Sequence, residues 1–247
     1  YNSVLSGVSL NGINFFYTNP LAATTNYPYH LRWEGGRVPY ISKSNCCPPN
    51  VVRTIAEISN YMYTVGDDGL YINMYGANNI KTNLKDGVIA LQQSTDYPWN
   101  GTINFTVQQA PTKAANIYLR IPDWCTKASI KVNGLVQKVD YNSYNKLSKI
   151  WKAGDKIDLI LGMPATLMQS NPLVEETKNQ VAVKRGPIVY CLESADLKNV
   201  KLFDVAIPSN MQFMPKPFTI ANSNMMALQG TAQVLQNNQW KNTLYTI

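Results

Sequence analysis

Between Gly69 and Leu161 apolar residues recur with a period of two, and this narrows the possible folds more than any other feature. Leu70-Tyr-Ile-Asn-Met-Tyr75, Gly87-Val-Ile-Ala-Leu91, Thr102-Ile-Asn-Phe-Thr-Val107, Asn116-Ile-Tyr-Leu-Arg-Ile121, Ser129-Ile-Lys-Val-Asn-Gly134 and Lys156-Ile-Asp-Leu-Ile-Leu161 are short runs bounded by Gly, Asn, Asp or Pro. Successive side chains of a strand point to opposite faces, so these runs predict antiparallel strands with one buried face. Their spacing predicts a β-sandwich or jelly roll. The pattern breaks at Gly162-Met-Pro164 and restarts with Val181-Ala-Val183 and Pro187-Ile-Val-Tyr-Cys191, the expected start of a second β module. Past Asp196 the sequence is less regular, and no internal repeat is found.

Composition agrees with a folded, turn-rich β protein. Of 247 residues, 45% are apolar and 15% charged, with 15 Tyr, 14 Gly and 14 Pro. That length allows one large domain or two modest ones. The net charge of +7 comes from basic residues scattered singly or in pairs such as Lys184-Arg185. There is no basic stripe interleaved with aromatics, so nucleic acid is not an expected partner. No apolar run is long enough for a membrane span, and no signal peptide is read. The chain opens at Tyr1 without a methionine, in a stretch that reads like the end of a helix, so it is expected to be part of a longer protein. Compartment cannot be read from the sequence.

Residues 1–47 read as irregular chain rich in turn signals and aromatics, including Tyr17, Tyr27, Tyr29, Trp33 and Tyr40. Pro48-Pro49-Asn50 then opens the clearest helix, with Val51, Ile55, Ile58 and Met62 at helical spacing on one face. Cys46 and Cys47 fall at its start, where the backbone N–H groups and the helix dipole favour a thiolate over a thiol. A disulfide between adjacent cysteines would strain the peptide joining them. The pair can supply half of a tetrahedral zinc site, although its spacing is less specific than paired C-x-x-C motifs. Cys125 and Cys191, in strand-like surroundings, are expected to be buried and apolar in character.

Cys46-Cys-Pro-Pro-Asn-Val-Val-Arg53, with Tyr61-Met-Tyr-Thr64 and Asp67-Asp-Gly-Leu-Tyr71, resembles the signature of the bacterial β-L-arabinofuranosidases of glycoside hydrolase family 127. Leu5-Ser-Gly7, Phe15-Phe-Tyr-Thr-Asn-Pro-Leu21, Leu119-Arg-Ile-Pro-Asp-Trp124 and Arg185-Gly-Pro-Ile-Val-Tyr190 extend the likeness, in order, over roughly residues 1–195. The resemblance implies a retaining glycosidase acting on a carbohydrate substrate, with a zinc-bound cysteine nucleophile and an α/α-barrel catalytic domain followed by β-sandwiches. It implies Cys46 as nucleophile and zinc ligand, Cys47 as a second zinc ligand, and Tyr17 as a residue that contacts the sugar. The remaining ligands, a glutamate and another cysteine, and the general-acid glutamate are implied to lie in barrel segments upstream of this chain. Many relatives carry a cysteine two positions before the pair, where this chain has Ser44.

The organisation expected is therefore mainly β. Residues 1–63 would be the last helix and loop of the (α/α)6 barrel, 64–164 an antiparallel β-sandwich, and 165–247 a second, incomplete one. Among nearby acids, Asp67-Asp68 reads as a turn, Glu57 as a helix residue and Glu34 as part of a Gly-rich loop. The single histidine, His30, reads as a local hydrogen-bonding residue, and Trp33 and Tyr40 as candidates for a sugar-stacking rim. With two of four ligands, the isolated chain is expected to bind zinc poorly and to show no turnover. The competing expectation is a non-catalytic module, either a carbohydrate-binding sandwich with structural cysteines or an interaction module with an exposed apolar patch within residues 1–63.

Overall fold

The computed structural model describes residues 8–9, 11–15, 38–39, 46–193, 196–220 and 223–235, with the side chains of Val38, Cys47 and Glu176 excepted. It divides into two compact units, residues 1–164 with 186–188, and residues 165–185 with 189–247.

In the first unit, Asn14–Phe15 (β1) pairs antiparallel with Val38–Pro39 (β2). Helix α1 spans Cys47–Glu57 and tightens into a 3₁₀ turn over Ile58–Tyr61. The chain then enters a run of strands: Tyr63–Gly66 (β3), Gly69–Ile72 (β4), Asn78–Leu84 (β5), Gly87–Thr95 (β6), Thr102–Gln109 (β7), Ala115–Ile121 (β8), Ala128–Val132 (β9), Leu135–Gln137 (β10), Ser143–Lys149 (β11) and Lys156–Leu161 (β12). They form a six-stranded sheet in the order β10-β9-β12-β7-β6-β5 and a four-stranded sheet in the order β11-β8-β4-β3. All pairs are antiparallel except one: β4 and β8 run parallel, Leu70 opposite Ile117. Asp67-Asp68 is a turn, as expected, though it joins β3 to β4 rather than a helix to a strand.

The two sheets bury one apolar cluster between them. Ile103, Phe105 and Val107 of β7, Ile157, Leu159 and Leu161 of β12, and Leu91 of β6 meet Leu70 and Ile72 of β4 and Ile117, Leu119 and Ile121 of β8. These are the alternate positions of each run, as period two requires. Tyr118 points to the opposite face of β8, yet it too is buried. Its ring stacks on that of Tyr71, with centroids 4.1 Å apart, and Lys146 lies 5.9 Å from its centroid. Its hydroxyl donates to Asp68 at 2.5 Å. That hydrogen bond and burial raise the Tyr118 hydroxyl above the usual tyrosine range, and the same bond lowers the Asp68 carboxyl.

At the turn before β12, burial pushes the Asp155 carboxyl up, but hydrogen bonds from Asn133, Lys149 and the Lys152 N–H outweigh it and hold the group at about 2. A carboxyl depressed in the fold contributes stability that is present above its ordinary value of 3.8 and is lost as pH falls through about 2. Asp155→Asn is therefore expected to flatten the fall in urea midpoint between about pH 4 and pH 2. An unchanged slope would reject Asp155 as a source of acid sensitivity.

The second unit holds the pair Ala165–Met168 (β13) with Ala182–Arg185 (β14), all but the first residue of Ile188–Tyr190 (β15), and two further strand pairs, Val205–Ala206 (β16) with Gln233–Val234 (β19) and Met214–Ile220 (β17) with Ser223–Gln229 (β18). Among its described residues none after Val183 is buried. Cys125 is buried, as expected. Cys191 is exposed, contrary to expectation, because β15 ends at Tyr190 and the thiol falls outside the ladder.

Candidate functional site

The thiol pair sits at the mouth of α1. Cys46 occupies the N-cap position and Cys47 begins the helix, one residue earlier than the proline signal suggested. Pro48 and Pro49 suit this first turn because their missing N–H groups would have no intrahelical acceptor. The Cys46 carbonyl accepts the first helical bond, from the Asn50 N–H at 3.1 Å. Cys46 is exposed and makes no side-chain capping bond, and the first turn holds no acidic residue to offset the positive end of the dipole. Arg53 donates through Nη1 to Asn50 Oδ1 at 3.1 Å, keeping a cation within the second turn.

Of the other expected site residues, Tyr17 lies outside the described residues, as do His30, Trp33, Glu34, Tyr40 and Ser44; so does the Cys47 side chain. No cluster of three or more His, Cys, Asp or Glu able to hold a metal occurs among the described residues. Of the expected site residues, the described ones therefore include the whole of Cys46 and the backbone of Cys47 alone.

The far end of α1 shows what local pattern reading missed. Val52, Ile55, Ile58 and Tyr61 are 62, 56, 43 and 62% exposed, so the apolar face of the helix carries little packing within the described residues. The chain leaving it is held instead by polar groups. Tyr63 donates to Asn78 Oδ1 at 2.5 Å and accepts from the buried Gln93 Nε2 at 2.9 Å. Burial raises the Tyr63 hydroxyl, and these bonds partly offset the rise. On the opposite side, Asn73 Nδ2 donates to the Tyr61 carbonyl at 3.2 Å and to Thr64 Oγ1 at 2.8 Å. The one sequence signal was Asn73 itself, a polar residue inside an otherwise apolar run.

Three models of one enzyme family match successive parts of the chain: a β-L-arabinofuranosidase GH127 catalytic domain at residues 1–60, a GH127 middle domain at 69–163 and a glycoside hydrolase family 127 C-terminal domain at 165–240. A non-reducing end β-L-arabinofuranosidase of Bifidobacterium longum subsp. longum is 30% identical, over 83% of this chain and 32% of its own length. Among solved structures, one described as a glycoside hydrolase is 45% identical with a TM-score of 0.90, covering 100% of this chain and 41% of its own. A GH127 β-L-arabinofuranosidase from Geobacillus stearothermophilus T6 is 30% identical with a TM-score of 0.86, covering 98% and 39%. The chain therefore spans about a third of the curated relative and about two fifths of these solved ones.

Proposed function

This chain belongs to glycoside hydrolase family 127, and from that premise we propose that the complete protein is a retaining glycosidase that releases L-arabinofuranose or a related sugar from plant glycans, with Cys46 as nucleophile. The observation that supports this most directly is the exposed Cys46 at the start of α1, within the span matched by the family's catalytic-domain model. Tyr17 would contact the sugar.

Two adjacent sulfur donors suit zinc, which favours thiolates in tetrahedral sites. Cys46 and Cys47 would hold it from this chain, with the remaining donors lying outside the described residues. When bound, the metal deprotonates the thiol it coordinates. In the first step Cys46 Sγ bonds to the anomeric carbon as the bond from that carbon to the leaving oxygen breaks. The leaving oxygen takes a proton from an acid outside the described residues. In the second step water, losing its proton to the same group, displaces the sulfur and restores the thiolate. Two displacements at one carbon return the original anomeric configuration.

The test is zinc analysis of the complete protein together with NMR of the newly released sugar. About one zinc per chain and retained configuration are expected; an inverted product or metal-free active protein would reject the reading. Cys47→Ser is expected to lower zinc occupancy, and undiminished zinc would reject its role as a ligand. The exposed apolar face of α1 was the mark of an interaction module, but it equally suits a helix covered by the rest of a longer enzyme. Turnover by the complete protein separates the two.

A further inference from the structure

Helix α1 carries its thiols at one end and is tied to the sandwich at the other. No described side chain between Val51 and Tyr61 is buried, although Pro48 in the first turn is, and among the described residues the polar contacts that join this segment to the sandwich gather where it ends. Both donors of Asn73, its side-chain Nδ2 and its backbone N–H, serve that end. Its side chain bonds the Tyr61 carbonyl and Thr64, and its backbone N–H donates to the Met62 carbonyl at 2.9 Å. Its Oδ1 accepts from the Tyr144 hydroxyl at 2.7 Å and its carbonyl from Arg120 Nη1 at 3.0 Å, so β11 and β8 hold it in turn. Arg120 is itself fixed in place, its own carbonyl accepting from the Tyr75 hydroxyl at 2.5 Å.

We propose that Asn73 is a positioning residue for the reaction: it sets the direction in which α1 leaves the sandwich, and so where Cys46 and Cys47 meet substrate and zinc. The inference rests on the nucleophile reading of Cys46. With 11 residues, α1 is about 16 Å long at 1.5 Å per residue. A tilt of about 4° at its tied end moves the thiols by about 1 Å, a displacement that can cost about 100-fold in rate.

The experiment uses the complete, zinc-loaded protein and compares Asn73→Ala, Tyr144→Phe and their combination with Asp155→Asn, a control that disturbs the same sandwich away from α1. Asn73→Ala is expected to lower kcat about tenfold or more with KM changed less than about twofold, and to weaken zinc about tenfold in competition with a chelator. Tyr144→Phe should act in the same direction but less, and add nothing in the double variant, because it works through Asn73. Should Asn73→Ala fail to fold, Tyr144→Phe carries the test alone. The proposal is overturned if these variants lower thermal stability as Asp155→Asn does while kcat and zinc affinity hold. Failure of the nucleophile reading has a different signature, undiminished turnover in Cys46→Ser run in parallel, and overturns the proposal as well.

Discussion

Cys46→Ser in the complete protein is expected to reduce turnover by about 10⁴-fold or more, the scale seen when a nucleophile is removed from a hydrolase. The argument begins with the atom. A cysteine thiol is far more acidic than a serine hydroxyl and would be deprotonated by a zinc ion it coordinates, whereas a serine hydroxyl in the same place stays protonated and presents no anion to the anomeric carbon. The Cys46 side chain is exposed, so little core packing depends on it. The substitution should therefore leave the melting temperature nearly unchanged while activity disappears. Activity within about tenfold of the unsubstituted enzyme would remove Cys46 from the mechanism.

The largest effect on stability is expected from Phe105→Ala. Phe105 is 1% exposed, at the centre of the cluster shared by the two sheets, with the Tyr75 ring edge-on to it at 6.3 Å. Removing a buried phenyl ring costs about 3–5 kcal/mol, partly as lost transfer energy and partly as the cavity left behind. Total stabilities are commonly about 5–15 kcal/mol, so the sandwich would lose a large fraction of its margin. Val136→Ala supplies the contrast, since Val136 is 74% exposed on β10 and its truncation should shift stability by less than about 0.5 kcal/mol. Urea unfolding followed by far-UV circular dichroism measures both; equal midpoints for the two variants would place the core elsewhere.

Strands facing the core on one side were legible, because β7, β8 and β12 place Ile, Phe, Val and Leu at alternate positions. The edge strands were not. In β5 no side chain is fully buried, and in β11 only Asn145 and Leu147 are, so neither run carries enough apolar alternation to be seen. Pairing is a further step removed: nothing in Gly69–Ile72 says that its neighbour is a parallel strand more than forty residues on. The candidate site divides in the same way. Cys46, Cys47 and the prolines after them are contiguous and were read directly, together with the family likeness they carry. The polar tie at the other end of α1 joins Asn73 to Tyr144 and Tyr63 to Gln93, contacts no local pattern encodes.

The parallel pairing of β4 with β8 also sets an order of assembly. Its two partners are separated by β5, β6 and β7, which pair among themselves as successive hairpins. Such hairpins close over short loops and form early, while β4 must wait for β8, a closure that costs more chain entropy. During synthesis β4 leaves the ribosome well before β8 and longer still before β11, which supplies Tyr144. For that interval the segment bearing Cys46 and Cys47 is joined to a sheet edge without its partner, so the tie through Asn73 and Tyr144 is completed only well after the thiols have been made.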